Sequence, residues 1–204
     1  MDPARLRVER NGALPYLLAR PKAQASTKTP VLCFLHGYDE GAPAEIREAL
    51  TRHGPLRPGN PGLVLERFVV VAPQLPTRGD LWHRYADAVH AILNEVHRVH
   101  GGDPARTYLT GFSFGANGVF DLAALQPGAW SALWAVDPTR VPRIDPRAPV
   151  WVSFGEVARR GTQQFIHALR LHPAGERPDG DRVFLDEGAD HVGSAALAYA
   201  DERI

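Results

Sequence analysis

Short apolar runs alternate along this chain with longer stretches in which apolar residues recur every three to four positions, the pattern of strands and helices laid down in turn. Val31-Leu32-Cys33-Phe34-Leu35 and Phe68-Val69-Val70-Val71-Ala72, closed by Pro73, are continuous apolar runs, as expected of strands covered on both faces. The chain opens with a pattern that predicts a hairpin, Leu6–Arg10 and Leu14–Ala19 around the turn signal Asn11-Gly12. Pro21–Pro30 reads as a polar connector, Ala44–His53 as a short helix, and the Gly/Pro-rich stretch through Gly62 as a loop. Leu81–His100 has the longest helical pattern, with Tyr85, Val89, Ile92, Leu93, Val96 and Val99 on one face. After a turn at Asp103-Pro104 come strand Thr107–Thr110, helix Phe114–Leu125 and strands Ala132–Val136 and Val150–Phe154. Helix Thr162–Leu171, strand Arg182–Leu185 and a terminal helix near Ser194–Asp201 complete the order. Strands alternating with helices predict an α/β protein with a mostly parallel central sheet flanked by helices.

Composition narrows the function classes. Over 204 residues, 44% are hydrophobic and 23% charged, ordinary for one globular domain spanning 1–204. Lys+Arg and Asp+Glu both number 23, so the basic excess of a nucleic-acid-binding domain is missing. The first ten residues lack the apolar run of a secretory signal, and no stretch approaches the ~20 apolar residues of a membrane span. A cytoplasmic protein is the expectation, with a mature fragment of a secreted one left open. The single cysteine, Cys33, sits in a predicted buried strand and reads as packing.

The chemistry gathers after the strands. Gly111-Phe112-Ser113-Phe114-Gly115 is a G-x-S-x-G sequence between a predicted strand and a predicted helix, the setting of a nucleophile elbow. Such a turn strains the serine backbone and needs glycines where side chains would clash. The helix that follows presents its positive end to an oxyanion. In the α/β-hydrolase arrangement that this elbow implies, the loop after Val31–Leu35 supplies a second backbone donor, so Tyr38 and Phe114 are the expected oxyanion hole. His36 reads as a structural hydrogen-bonder. The base must come last in chain order, which selects His191, in the predicted loop Asp186–His191. His167 and His172 also follow the serine but fall in or at the end of helix Thr162–Leu171, facing solvent. His90, His97 and His100 share the long helix; with no second ligand cluster beside them they read as a solvated face rather than a metal site.

At these residues the chain resembles the small α/β-hydrolase esterases often grouped as predicted peptidases, relatives of feruloyl-esterase-like, polyhydroxybutyrate-esterase-like and dienelactone-hydrolase-like proteins. The matching stretches are Phe34-Leu35-His36-Gly37 with Glu40-Gly41, His53-Gly54-Pro55, Val71-Ala72-Pro73-Gln74, Trp82, and Asp103 through the elbow. The resemblance implies hydrolysis of a small-molecule ester or related acyl bond, with no cofactor. It departs at the acid: the family's G-x-x-D after the next-to-last strand reads here Gly155-Glu156-Val157-Ala158. Asp137, in Trp134-Ala135-Val136-Asp137-Pro138, resembles the Leu-Asp-Pro acid of pancreatic-type lipases; as a plain residue it is a turn-forming Asp-Pro. Glu156 is the other candidate, and a chain with no functional acid the third. Asp190 reads as a loop residue. No cap domain fits between the strands ending at Val136 and starting at Val150, which predicts an open, shallow site for short-chain or aryl esters, with Trp82, Phe112, Phe114 and Trp134 as possible lining. A catalytically impaired binding module and a peptidase are the alternative functions.

Overall fold

A computed structural model describes residues 6–22, 28–60, 62–158, 161–173 and 182–200. Residues 23–27 of the expected connector and Asp201 of the expected last helix lie outside them. In chain order the elements are strands Leu6–Glu9 (β1), Tyr16–Ala19 (β2) and Thr29–Leu35 (β3), helices Ile46–Leu50 (α1) and Leu63–Arg67 (α2), and strand Val69–Pro73 (β4). Helix Ala86–Val99 (α3), strand Gly102–Phe112 (β5), helix Phe114–Leu125 (α4) and strand Ala132–Val136 (β6) follow. The rest are strand Val150–Gly155 (β7), helix Thr162–Leu169 (α5), strands His172–Pro173 (β8) and Arg182–Asp186 (β9), and helix His191–Ala200 (α6).

Among the described residues the strands form one sheet of nine in the order β1-β2-β4-β3-β5-β6-β7-β9-β8. Only β2 runs against the others. Apolar side chains cover both faces, which is why the central strands are unbroken apolar runs. On one face Val89, Ile92, Leu93 and Val96 of α3 join Val119 and Phe120 of α4 and Phe165 of α5. On the other, Ile46 and Leu50 of α1, Val64 and Leu65 of α2, and Ala195, Ala198 and Tyr199 of α6 pack against Leu32, Phe34 and Val70. No helix among the described residues is long and apolar enough to cross a membrane.

Several boundaries differ from those the pattern predicts. The first two strands are a hairpin, but Glu9 pairs with Tyr16, so six residues connect them instead of a tight Asn-Gly turn. Leu14 is drawn into the core, and the Pro15 carbonyl accepts from Gln74 N–H. The long helix begins one turn late, because Trp82–Tyr85 is 3₁₀. Val99, at its end, is 48% exposed rather than on the buried face. Asp103-Pro104 does not turn the chain: it lies within β5, one residue from its start. His172 belongs to strand β8, not to the helix before it.

The register places the site. Leu35 of β3 is level with Gly111 of β5, and Phe112 of β5 with Val136 of β6. Three neighbouring strands therefore end together, and His36, Ser113 and Asp137 leave the sheet side by side. Ser113 N–H donates to the Val136 carbonyl at 3.0 Å and Asp137 N–H to the Ser153 carbonyl at 2.7 Å, which ties each departure point to the next strand.

Candidate active site

Ser113 stands between β5 and α4 with φ 57° and ψ −116°, a conformation that costs an ordinary residue roughly 1–3 kcal/mol and is concentrated at functional sites. The elbow glycines make the turn possible through space, not through unusual backbone angles of their own. A Cβ on Gly115 would sit 1.9 Å from the Leu35 carbonyl oxygen, and one on Gly111 would sit 2.4 Å from the Gly115 oxygen. β3, the elbow and α4 approach so closely that no side chain fits between them.

The structure brings Ser113, His191 and Asp137 together. Asp137 is wholly buried, with φ 46°, at the end of β6. His191 Nδ1 bonds its Oδ2, and Nε2 lies 2.9 Å from Ser113 Oγ. A carboxylate at Nδ1 requires the proton there, so Nε2 offers its lone pair to the serine hydroxyl. Phe112 stacks beside the ring at 4.7 Å between centroids.

His191 is not in a loop, as the sequence pattern suggests, but opens α6. Asp190, expected to be a loop residue, is what starts that helix: its Oδ1 accepts from Gly193 N–H at 2.7 Å and its carbonyl from Ser194 N–H at 2.9 Å. Ser194 Oγ donates to Asp186 at 2.9 Å, and Tyr199 OH lies 2.8 Å from Thr110 Oγ1. The ring is thus carried by a helix anchored at both ends. Gly155 lets the sheet approach this turn, since a Cβ there would lie 2.6 Å from the Asp190 carbonyl oxygen.

Glu156 is elsewhere. Its Oε2 accepts from Gly188 N–H at 2.8 Å, and its own N–H donates to the Asp186 carbonyl at 3.1 Å. It braces the loop before His191 instead of touching the ring. Of the histidines, His167 is exposed, and His97 bonds Thr107 Oγ1 at 2.9 Å. Among the described residues no group of His, Cys, Asp and Glu is placed to hold a metal. Cys33 is buried, and burial pushes its thiol pKa up, which disfavours the reactive thiolate.

Phe114 is the first residue of α4, where backbone N–H groups have no partner within the helix. Tyr38 lies opposite it in a 3₁₀ turn, the two rings meeting edge to face at 5.0 Å. Trp82, Phe112 and Trp134 are core residues. Beside the elbow, Phe114, Leu81, Asn117, Thr139 and Arg140 border a cavity of about 390 Å³ floored by Trp82. Residues 137–149, between β6 and β7, contain no helix, so no cap stands there.

His36 is buried and accepts a hydrogen bond from Leu75 N–H on Nε2 at 3.0 Å, so its proton is on Nδ1, which donates to the Gly37 carbonyl at 2.7 Å. Burial lowers its pKa to about 4, and the bond to Gly37 offsets this only in part. His53 is also lowered to about 4, by burial first and then by Arg52 and Arg57. Free histidine titrates near 6.5, so between the two values the unfolded chain binds more protons. Stability is therefore full above about pH 6.5 and falls as pH drops toward 4, by about 3 kcal/mol for His36 alone. Urea midpoints at pH 7 and 4.5 should differ more for wild type than for His36→Asn, and equal differences would refute this source.

Neither a protein-family model nor a curated protein sequence matches the chain significantly. Solved structures do. A thermostable esterase superposes with a TM-score of 0.73 at 20% identity over 98% of this chain; the chain spans 61% of that esterase's length. S-formylglutathione hydrolase from Agrobacterium tumefaciens gives a TM-score of 0.66 at 13% identity, covering 96% of this chain and 89% of its own. Acylaminoacyl peptidase from Pyrococcus horikoshii gives 0.60 at 14%, over 96% of this chain and 39% of its own. The chain has the α/β-hydrolase fold.

Proposed function

We propose that the protein is a serine hydrolase that cleaves carboxylic esters of short-chain or aryl acyl groups through an acyl-enzyme. The observation that carries this reading is the continuous path from Ser113 Oγ through His191 to buried Asp137. His191 Nε2 takes the hydroxyl proton as Ser113 attacks the ester carbonyl, while the N–H groups of Tyr38 and Phe114 receive the oxyanion. The tetrahedral intermediate collapses to an acyl-serine, and His191 returns the proton to the departing alcohol. Water, deprotonated by the same ring, then releases the acid. Asp137 holds the tautomer and faces the imidazolium that forms. Its position supports an enzyme over a binding module, since a carboxylate stands behind the ring that faces the serine. The short 137–149 connection supports small soluble esters, because the site has no cap there to enclose a long acyl chain.

The test uses p-nitrophenyl acetate, p-nitrophenyl butyrate and a matching p-nitroanilide, with a fluorophosphonate probe alongside. Wild type should label once, at Ser113, and turn over the esters at least 100-fold faster than the anilide; Ser113→Ala should do neither. Wild type no faster than Ser113→Ala would end the hydrolase reading, and preference for the anilide would make it a peptidase.

A further inference from the structure

The loop after β3 contains a buried carboxylate that the proposed chemistry leaves unused. Glu40 is 4% exposed, and burying a carboxylate to this depth is costly unless its surroundings favour it. Burial raises its pKa, the nearby Gly37 N–H offsets this in part, and its Oε1 lies 3.5 Å from His53 Nε2. The fit at Gly37 is close enough that a Cβ there would lie 2.8 Å from Glu40 Oε2. On the other edge of the same residue, His36 Nδ1–H holds the Gly37 carbonyl at 2.7 Å. Gly37 is thus bonded at its C=O by His36 and flanked closely by the Glu40 carboxylate. A peptide unit is planar and trans, so fixing the Gly37 carbonyl also fixes the Tyr38 N–H, pointing the opposite way. The loop is tied further by Gln74 Nε2, which donates to the carbonyls of Glu40 and Ala44 at 3.0 and 2.9 Å, and by Gly79 N–H on the Tyr38 carbonyl at 3.0 Å. All this lies against the nucleophile: the Cβ built on Gly37 is 3.5 Å from Ser113 Cβ.

We propose that Glu40 is a positioning residue for the oxyanion site, its carboxylate holding Gly37 so that the Tyr38 N–H faces the carbonyl attacked by Ser113. This rests on the serine-hydrolase reading above. Glu40 touches no reacting atom and acts only through Gly37. A donor already aimed needs no reorganisation as charge develops, and loss of one such donor costs roughly 10²–10³ in kcat.

Two variants separate reach from charge. Glu40→Gln keeps the length and an acceptor oxygen but loses the charge; Glu40→Asp keeps the charge but is one methylene too short for Gly37. Expected for p-nitrophenyl acetate is a kcat lower by about 100-fold in Glu40→Asp and by about tenfold or less in Glu40→Gln, with KM within threefold in both. Fluorophosphonate labelling of Ser113 should slow in the same order, because the phosphoryl oxygen enters the oxyanion site. The reverse order, a loss confined to KM, or kcat within twofold of wild type in both variants overturns the proposal. If Glu40→Asp does not fold, Glu40→Gln decides alone: a several-fold fall in kcat at unchanged KM supports it, and unchanged kcat overturns it. A folded wild type that neither labels nor turns over ester overturns the hydrolase reading and this proposal together, whereas an active wild type with indifferent Glu40 variants overturns this one only.

Discussion

Asp137→Asn is expected to lower kcat for p-nitrophenyl acetate by about 10⁴ while leaving KM within a few-fold. The Asp137 carboxylate bonds His191 Nδ1 in a site that excludes water from the acid altogether. An asparagine of the same size can turn its amide N–H toward Nδ1, which drives the ring proton to Nε2 and blocks the acceptor that Ser113 needs. In either orientation it offers no negative charge to the imidazolium. Glu156→Gln is the matched control, expected within about threefold of wild type, because that carboxylate is spent on Gly188 N–H. Steady-state kinetics on both variants, with circular dichroism to establish folding, makes the comparison. A steep loss in Glu156→Gln with Asp137→Asn near wild type would reverse the assignment of the acid.

Gly115→Ala is expected to cost at least about 4 kcal/mol, a large part of the 5–15 kcal/mol that holds a typical domain together. Its methyl would enter space held by two backbone oxygens, Leu35 O at 1.9 Å and His36 O at 2.6 Å. Neither can rotate away, because Leu35 is in register with Gly111 in the centre of the sheet. Relief requires moving α4 off β3, which would also move the elbow. Thermal melts should place the variant roughly 10 °C below wild type, or the protein should fail to accumulate. Gly128→Ala is the contrast: φ there is +82° but the space is open, so only the backbone strain of about 1 kcal/mol is expected. Equal melting temperatures for Gly115→Ala and wild type would show that the close approach is not rigid.

Much of this arrangement is legible in the sequence because parallel strands are buried on both sides. Strand Ala132–Val136 and helix Phe114–Leu125 match their predicted bounds to the residue, one an unbroken apolar run, the other bounded by the serine turn. Features governed by contacts far along the chain are less legible. Whether Asp137 or Glu156 meets His191 depends on how far β6 and β7 project beside β9, and both residues look like ordinary loop acids. The start of α6 had a local signal, Asp190 three residues before Gly193, but the glycines around it suggest a loop. β8 is two residues long, too short for any period to register, and α2 follows directly on a Gly/Pro-rich stretch. Glu40 enters the sequence reading only through the Glu40-Gly41 match to the family, and its burial leaves no trace in Tyr38-Asp39-Glu40-Gly41.

The order in which these parts are synthesised has a consequence for the cell. β5, the elbow and β6, bearing Ser113 and Asp137, are translated well before α6, which delivers His191 and closes onto Thr110 through Tyr199. A domain folds as a unit, so this one cannot complete its site before α6 has been made. On the proposed reading, a nascent chain would therefore carry Ser113 as an ordinary alcohol, without its base, until the docking of one helix arms it.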